Sequence, residues 1–336
     1  MPKRVLVIGG TGAMGSFVVS KLLSSPDYLV HIFTRDTENA RIKDLQSRYP
    51  ARVVAVKGDL DLEASLLNAM REVEAVFCNT DFWSTASALK EYQQGKRALK
   101  AAQTANVKHF IWSSLDNAVS LTDGAIAVPH FDSKAAVEAW ISLMRSEEFM
   151  RKEADGWFSN HVSVLVTAPY FENLQFRAAP KPGKLSDGRE GFIFNLPLDA
   201  APYPLIGLDD IAWFTKLMLD EPAAWVGRTL RVVGEGVTGE KIAATFEAVT
   251  GLPAEYRNVP LEAIRTAMPD TGHDVAAMAE FFQKYDVMGR ARDITALRRL
   301  HPGLQTFRQW LINTGWRGEH VEVQKKAVQI SSSSGT

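Results

Sequence analysis

Short, unbroken apolar runs recur along the first half of the chain, each followed by a stretch whose apolar residues fall three or four apart. The runs at Val5–Ile8, Tyr28–Phe33, Val53–Val56, Ala75–Cys78, His109–Trp112 and Val162–Val166 show little polar alternation, as strands covered on both faces should. The stretches Ala13–Leu23, Asp36–Arg48, Leu62–Met70, Ala86–Ala105 and Phe131–Phe149 have helical spacing. In the first of them Phe17, Val18, Leu22 and Leu23 share one side. Strands spaced by helices of this length predict an α/β fold, a Rossmann-type doubly wound parallel sheet with right-handed crossovers.

After Val166 the rhythm loosens. Pro169, Pro180, Pro182, Pro197, Pro202 and Pro204 punctuate the chain, with strand candidates at Gly191–Asn195 and Leu230–Val233. Thr238–Thr250 and Val275–Lys284 read as helices, and Leu208–Leu219 as a helix with Asp209 at its N-cap. The expected division is a sheet domain over 1–168 and a smaller C-terminal α/β lobe over 169–320, interleaved with the sheet edge. A disordered polar tail is expected over 321–336, ending QISSSSGT.

The junction of first strand and first helix carries the most specific chemistry. Gly10-Thr11-Gly12-Ala13-Met14-Gly15 fits G-x-G-x-x-G, and Gly9 extends it upstream. Glycine costs a helix roughly 1 kcal/mol against alanine, so three of them here imply a close approach to backbone. Behind a strand and opening an amphipathic helix, the motif has the context of a dinucleotide site. The early glycines allow the tight turn and admit a pyrophosphate to the helix N-terminus, and the last lets helix and strand pack closely. A ligand-free glycine turn is the alternative.

The end of the second strand selects the dinucleotide. It reads Phe33-Thr34-Arg35-Asp36. An acid there would take the ribose hydroxyls of NAD, an arginine the 2′-phosphate of NADP. Arg35 comes first, which favours NADP(H) and leaves NAD(H) open; Arg35 as a solvated loop residue is the alternative. Asp36, Thr37, Glu38 and Asn39 continue this loop. Asp59, after the third strand, suits either an adenine contact or a helix N-cap.

Composition narrows the classes. The chain has 336 residues, a formal net charge of −1 and one cysteine, so neither nucleic acid nor an anionic membrane is an electrostatically favoured partner. Cys78 has no intrachain partner and sits in an apolar run. No apolar stretch reaches membrane-spanning length, and a soluble, cytoplasmic protein is expected. The histidines show no metal-ligand spacing.

With these features in hand, the sequence resembles the NmrA-like family, atypical members of the short-chain dehydrogenase/reductase superfamily, from the first strand to about Trp310. The likeness rests on FTRD, VKGDLD, NTDFWS, QQGKRA, HFDSK, PYFEN and GLDDIA, and runs strongest to a branch that binds NADPH as a redox sensor. It implies that Gly9, Gly10, Thr11, Gly12, Ala13 and Met14 wrap the pyrophosphate, Arg35 the 2′-phosphate, and Asp59 and Leu60 the adenine. Thr80, Asp81 and Phe82 would pass over the ribose, and Lys96 and Lys134 would face the nicotinamide. Tyr170, Phe171, Glu172 and Asn173 would close over it. The family often places a second base four residues after its arginine; here Asn39 stands there and the next base is Arg41.

The superfamily's usual proton relay uses Ser and a Y-x-x-x-K pair. Lys134 is present, but His130 stands four residues before it, and Leu115 replaces the serine, behind Ser113 and Ser114. His130 can move protons near neutral pH, so His130 and Lys134 are the candidate catalytic residues. His130 as a plain helix-start residue and Lys134 as a ribose ligand alone form the alternative. Phe82, Trp83, Tyr170 and Phe171 suit a flat apolar substrate wall or ordinary core. Two functions follow: an NADP(H)-dependent oxidoreductase for a small organic substrate, or a non-catalytic redox sensor that meets a regulatory protein. Oligomeric state is not legible.

Overall fold

The computed structural model describes residues 2–285 and 292–321. The expected tail, but for Val321, lies outside the described residues. The first half lays down β1 (Lys3–Ile8), β2 (Tyr28–Thr34), β3 (Val53–Lys57), β4 (Ala75–Cys78), β5 (His109–Ser114) and β6 (Val162–Val166). The second half adds β7 (Lys181–Lys184), β8 (Glu190–Leu196), β9 (Tyr203–Leu205), β10 (Thr229–Arg231), β11 (Glu235–Val237) and β12 (Ala254–Asn258). The main sheet has seven strands in the order β10-β6-β5-β4-β1-β2-β3, every neighbouring pair parallel. This is the doubly wound Rossmann-type fold. The strand order reverses between β1 and β4, which opens a crevice at their C-terminal ends.

The missing polar alternation has a direct cause. Val5 and Val7 of β1, with Phe77 and Ile111, pack in one core, under α1 (Ala13–Leu23), α2 (Ala40–Arg48) and a helix from the second half. Leu6 and Ile8, with Val76, Cys78 and Trp112, pack in another on the opposite face. That face is covered by α3 (Glu63–Met70), α4 (Ala88–Thr104), α6 (Pro129–Met150) and α7 (Trp157–His161), with α5 (Ala118–Leu121) on the connection before α6. Alternate residues of the central strands therefore enter different cores, and both sets are mostly apolar. Cys78 is fully buried, and burial pushes its thiol up to about 12.

The second half closes on the first at several places. α8 (Leu208–Asp220) packs against α1, and β10 pairs with β6. The helix starts at Leu208 behind Gly207, so Asp209 is in its first turn rather than its N-cap; it pairs with Lys21 at 3.1 Å. β10 likewise ends at Arg231, two residues short of the apolar run that marked it. α2 begins at Ala40 because the Asn39 side chain accepts the Arg41 N–H, which leaves residues 36–39 as a loop. α9 (Pro222–Trp225), α10 (Gly239–Thr250), α11 (Leu261–Ala267) and α12 (Gly272–Lys284) follow, then the helices Ile294–Leu300 and Phe307–Thr314. With the strands β7, β8 and β12, several of these enclose a third core built on Phe171, Phe194, Phe246, Phe281, Trp310 and Trp316.

Candidate active site

The loop from Gly9 to Gly12 turns β1 into α1. Gly9 has φ +81°, and a Cβ there would lie 2.4 Å from the Asn79 carbonyl oxygen; one at Gly15 would lie 2.1 Å from the oxygen of Gly9. Loops after β1 and β4 thus meet backbone to backbone at the point of reversal. Gly12 begins α1 with no capping side chain, which leaves the first-turn amides beyond it open to the crevice. Met14 is buried, with the Ser113 hydroxyl 3.4 Å from its sulfur. The carbonyl of Thr11 accepts Arg41 Nη1 at 3.0 Å, and both residues line a shallow recess with Gly10, Ser16 and Ile32.

Most polar groups after β2 are committed. The Asp36 carboxylate accepts the Glu38 N–H at 2.9 Å, Glu38 pairs with Lys43 at 2.5 Å, and Thr37 shares their turn. Arg35 is exposed and has no hydrogen bond or ion pair among the described residues. After β3, Asp59 accepts the Asp61 N–H at 2.8 Å, whereas α3 takes Leu62 as its N-cap. Asp59 closes a turn and does not cap the helix. Leu60 receives Arg97 on its carbonyl at 2.7 Å.

Beyond β4 lies a sealed ionic cluster. Lys134 Nζ donates to the carbonyl and hydroxyl oxygens of Thr80, each at 2.9 Å, lies 3.3 Å from Asn79 Oδ1, and pairs with Glu91 at 3.0 Å. Glu91 also accepts the hydroxyls of Thr80, at 2.7 Å, and Ser133. Burial alone would raise this carboxyl, but Lys134 and the two hydroxyls outweigh it and hold it below the usual range. Trp112 lies under the ammonium at 5.7 Å and donates its indole N–H to the Lys134 carbonyl. Lys134 is therefore held rigidly at the strand end beside the glycine loop.

One turn earlier on α6, His130 is nearly buried. Its ring centroid lies 4.7 Å from that of Phe131, 4.9 Å from Trp83 and 5.9 Å from Phe82. Asp81 caps the short turn Phe82–Ser84 by accepting the Trp83 N–H, which orients the two rings. Asp274, from α12, accepts the His130 backbone N–H at 2.9 Å and forms a close ion-pair contact with ring Nδ1. Exposed Arg177 stacks over Trp83 at 4.7 Å.

Other expected residues stand elsewhere. Lys96 lies over the rings of Tyr92 and Trp140, at 5.3 and 5.1 Å, more than a helical turn along α4 from Glu91, and does not join the cluster. Phe171 faces inward to Phe307 and Trp310. Glu172 accepts the Trp310 indole N–H at 3.0 Å and the Leu208 N–H at 3.2 Å. Tyr170 and Asn173 are half-buried at the edge of this turn, where Tyr170 bridges to Ile206. Ser114 is tied to Glu138, which pairs with Arg231, and Leu115 packs against the third core. Neither serine at the end of β5 bonds Lys134 or His130.

Sequence reasoning missed Glu91, Ser133 and Asp274. Glu91 sits in an amphipathic helix, where an acid reads as solvated. Asp274 is 144 residues from His130, with no motif to join them. Among the described residues no cluster of His, Cys, Asp or Glu could hold a metal, and no helix is long and apolar enough to cross a membrane.

The model of the NmrA-like family matches residues 1–311. The NmrA-like family domain-containing oxidoreductase lnaB of Aspergillus flavus is 25% identical over 265 residues, 76% of each chain. The NAD(P)H azoreductase of Xenophilus azovorans is 27% identical over 269 residues, 80% of this chain and 81% of that one. The crystal structure of NmrA, a negative transcriptional regulator, in complex with NADP superimposes with a TM-score of 0.68 at 17% identity, covering 92% of this chain and 94% of that one.

Proposed function

The chain belongs to the NmrA-like family, and from that premise we propose that it is an NADP(H)-dependent oxidoreductase acting on a small, apolar, aromatic or conjugated carbonyl compound. What carries the reading is the placement, by the single helix α6, of Lys134 beside the glycine loop and of His130 one turn away between Phe82, Trp83 and Phe131. Two relatives matched over three quarters of the chain are named as an oxidoreductase and an NAD(P)H azoreductase, which supports redox chemistry here.

The residues present fit the dinucleotide. The uncapped amides of α1 suit a pyrophosphate, and the contact between Gly9 and Asn79 brings two backbone loops to its edge. Arg35, with Arg41 anchored on Thr11, suits a 2′-phosphate. Lys134, fixed by Thr80, would hold the nicotinamide ribose. When bound, reduced nicotinamide would supply a hydride to the substrate carbon. His130 then gives its proton to the substrate oxygen and recovers one from solvent, while the surrounding rings exclude water from the transfer. A protein of this kind oxidises NADPH in the presence of an aromatic aldehyde, ketone or enone, and His130→Gln slows that reaction without weakening NADPH binding. A panel with no turnover by the wild type overturns the reading.

A second reading rests on Ser114, whose hydroxyl is tied to Glu138 rather than to Lys134 or His130. In it the protein binds NADP(H) and signals redox state to a regulatory protein, with no chemistry at His130.

A further inference from the structure

One residue outside both readings touches the proposed proton donor. α12 brings its first turn against the first turn of α6, where one Asp274 oxygen accepts the His130 backbone N–H and the other lies in close contact with ring Nδ1 without the alignment of a hydrogen bond. The side chains of His130 and Asp274 are 11% and 9% exposed. The opposite ring nitrogen, Nε2, has no hydrogen-bond partner among the described residues and, unlike Nδ1, is not among the atoms sealed from solvent. One nitrogen is fixed by a carboxylate from the second lobe; the other is left for something that enters.

A carboxylate accepts hydrogen bonds and donates none. A bare Nδ1 this close to a carboxylate oxygen would set two lone pairs against each other, so the contact favours a proton on Nδ1 in both the neutral and the charged ring, and the exchangeable proton is the one on Nε2. We propose that Asp274 is a positioning residue for the reaction: it fixes the His130 tautomer and turns Nε2 toward the substrate. This rests on the reading of His130 as proton donor. In the step, the hydride forms the new C–H bond, the carbonyl π pair goes to oxygen, and the Nε2 proton neutralises that oxygen. The imidazolium becomes neutral imidazole, still carrying Nδ1–H beside Asp274.

Other charges near the ring are accounted for. Asp132, on α6, is raised by burial but held by the amides of Val119 and Val128, with Asp274 pushing it further up. Lys134 is paired with Glu91 of α4, Arg177 lies over Trp83, and His273, beside Asp274, is exposed. Of these only Asp132 feels the Asp274 charge directly, and Asp274→Asn, by removing that charge, moves the Asp132 carboxyl back down.

Asp274→Asn separates positioning from mere clasping. The asparagine oxygen can keep the His130 backbone bond, while its NH2 group replaces the oxygen that faces Nδ1. Nδ1 must then accept, and the ring proton moves to Nε2. The experiment records nitrogen-15 imidazole spectra of the full-length protein, with His130 assigned through His130→Gln, alongside pH–rate profiles. The expected result is an Nδ1–H ring in the wild type and an Nε2–H ring in Asp274→Asn. NADPH binding should be retained, kcat should fall by about 100-fold or more, and the alkaline limb should move to lower pH. An unchanged tautomer and titration in Asp274→Asn, or a kcat and pH profile within twofold of wild type, overturns the proposal. A tautomer switch in a wild-type protein that turns over nothing upholds the positioning of the ring and removes the oxidoreductase reading instead.

Discussion

At the scale of single residues, commitment to other partners separates the candidates. Arg35 is exposed and has no partner among the described residues, while Asp36, Glu38 and Asn39 already serve the loop. Arg35→Ala should weaken NADPH by about 10- to 100-fold, the worth of one charge-assisted contact, and leave NADH within twofold. Equal losses in a tryptophan-quenching titration would remove Arg35 from the phosphate site. Lys134 carries a second burden, because its removal strands a buried carboxylate. Lys134→Ala should destabilise the protein by about 3–5 kcal/mol and weaken the cofactor. Adding Glu91→Gln should restore much of the stability, measured by urea unfolding, but not the affinity. The lysine was legible because the motif HFDSK places it on a helix near the fourth and fifth strands. Its counter-ion was not, since nothing local marks an acid that turns inward.

At the scale of elements, the glycine loop and α1 form one unit with unequal tolerance. A Cβ at Gly15 would meet the Gly9 oxygen at 2.1 Å, whereas one at Gly12 would lie 3.3 Å from it. Gly15→Ala must displace α1 from the sheet and should lower the melting temperature markedly. Gly12→Ala should stay folded by circular dichroism and lose NADPH affinity, because on the proposed reading its methyl group would stand where the pyrophosphate would meet the amides. Similar melting temperatures for the two variants would contradict this division. The six strands and first helices could be read from sequence because both-face burial leaves apolar runs that local pattern detects. β9, β11 and β12 left no such trace. They have three to five residues, Pro204 interrupts one, and distant pairings define them.

At the scale of the whole molecule, the second half of the chain is joined to the first through packing that the sequence does not announce. β10 completes the parallel sheet and α8 covers α1, while Asp274 reaches His130 from α12. Glu172 sits where the third core meets α8, and burial pushes its carboxyl up to about 7. The folded state thus holds a proton that the unfolded chain releases near 4.5, and stability falls as pH rises between these values. Glu172→Gln should flatten this slope and gain on the order of 1–3 kcal/mol relative to wild type at pH 8, with little difference near pH 4.5. Parallel unfolding curves across pH would contradict it. The measurement that bears most directly on the account is the absorbance of NADPH mixed with the purified protein and a panel of aromatic aldehydes, ketones and enones. The account expects saturable NADPH binding and then loss of the reduced-nicotinamide signal with at least one compound, slowed in His130→Gln. Tight, redox-selective binding with no loss of signal across the panel would contradict it and make the protein a sensor.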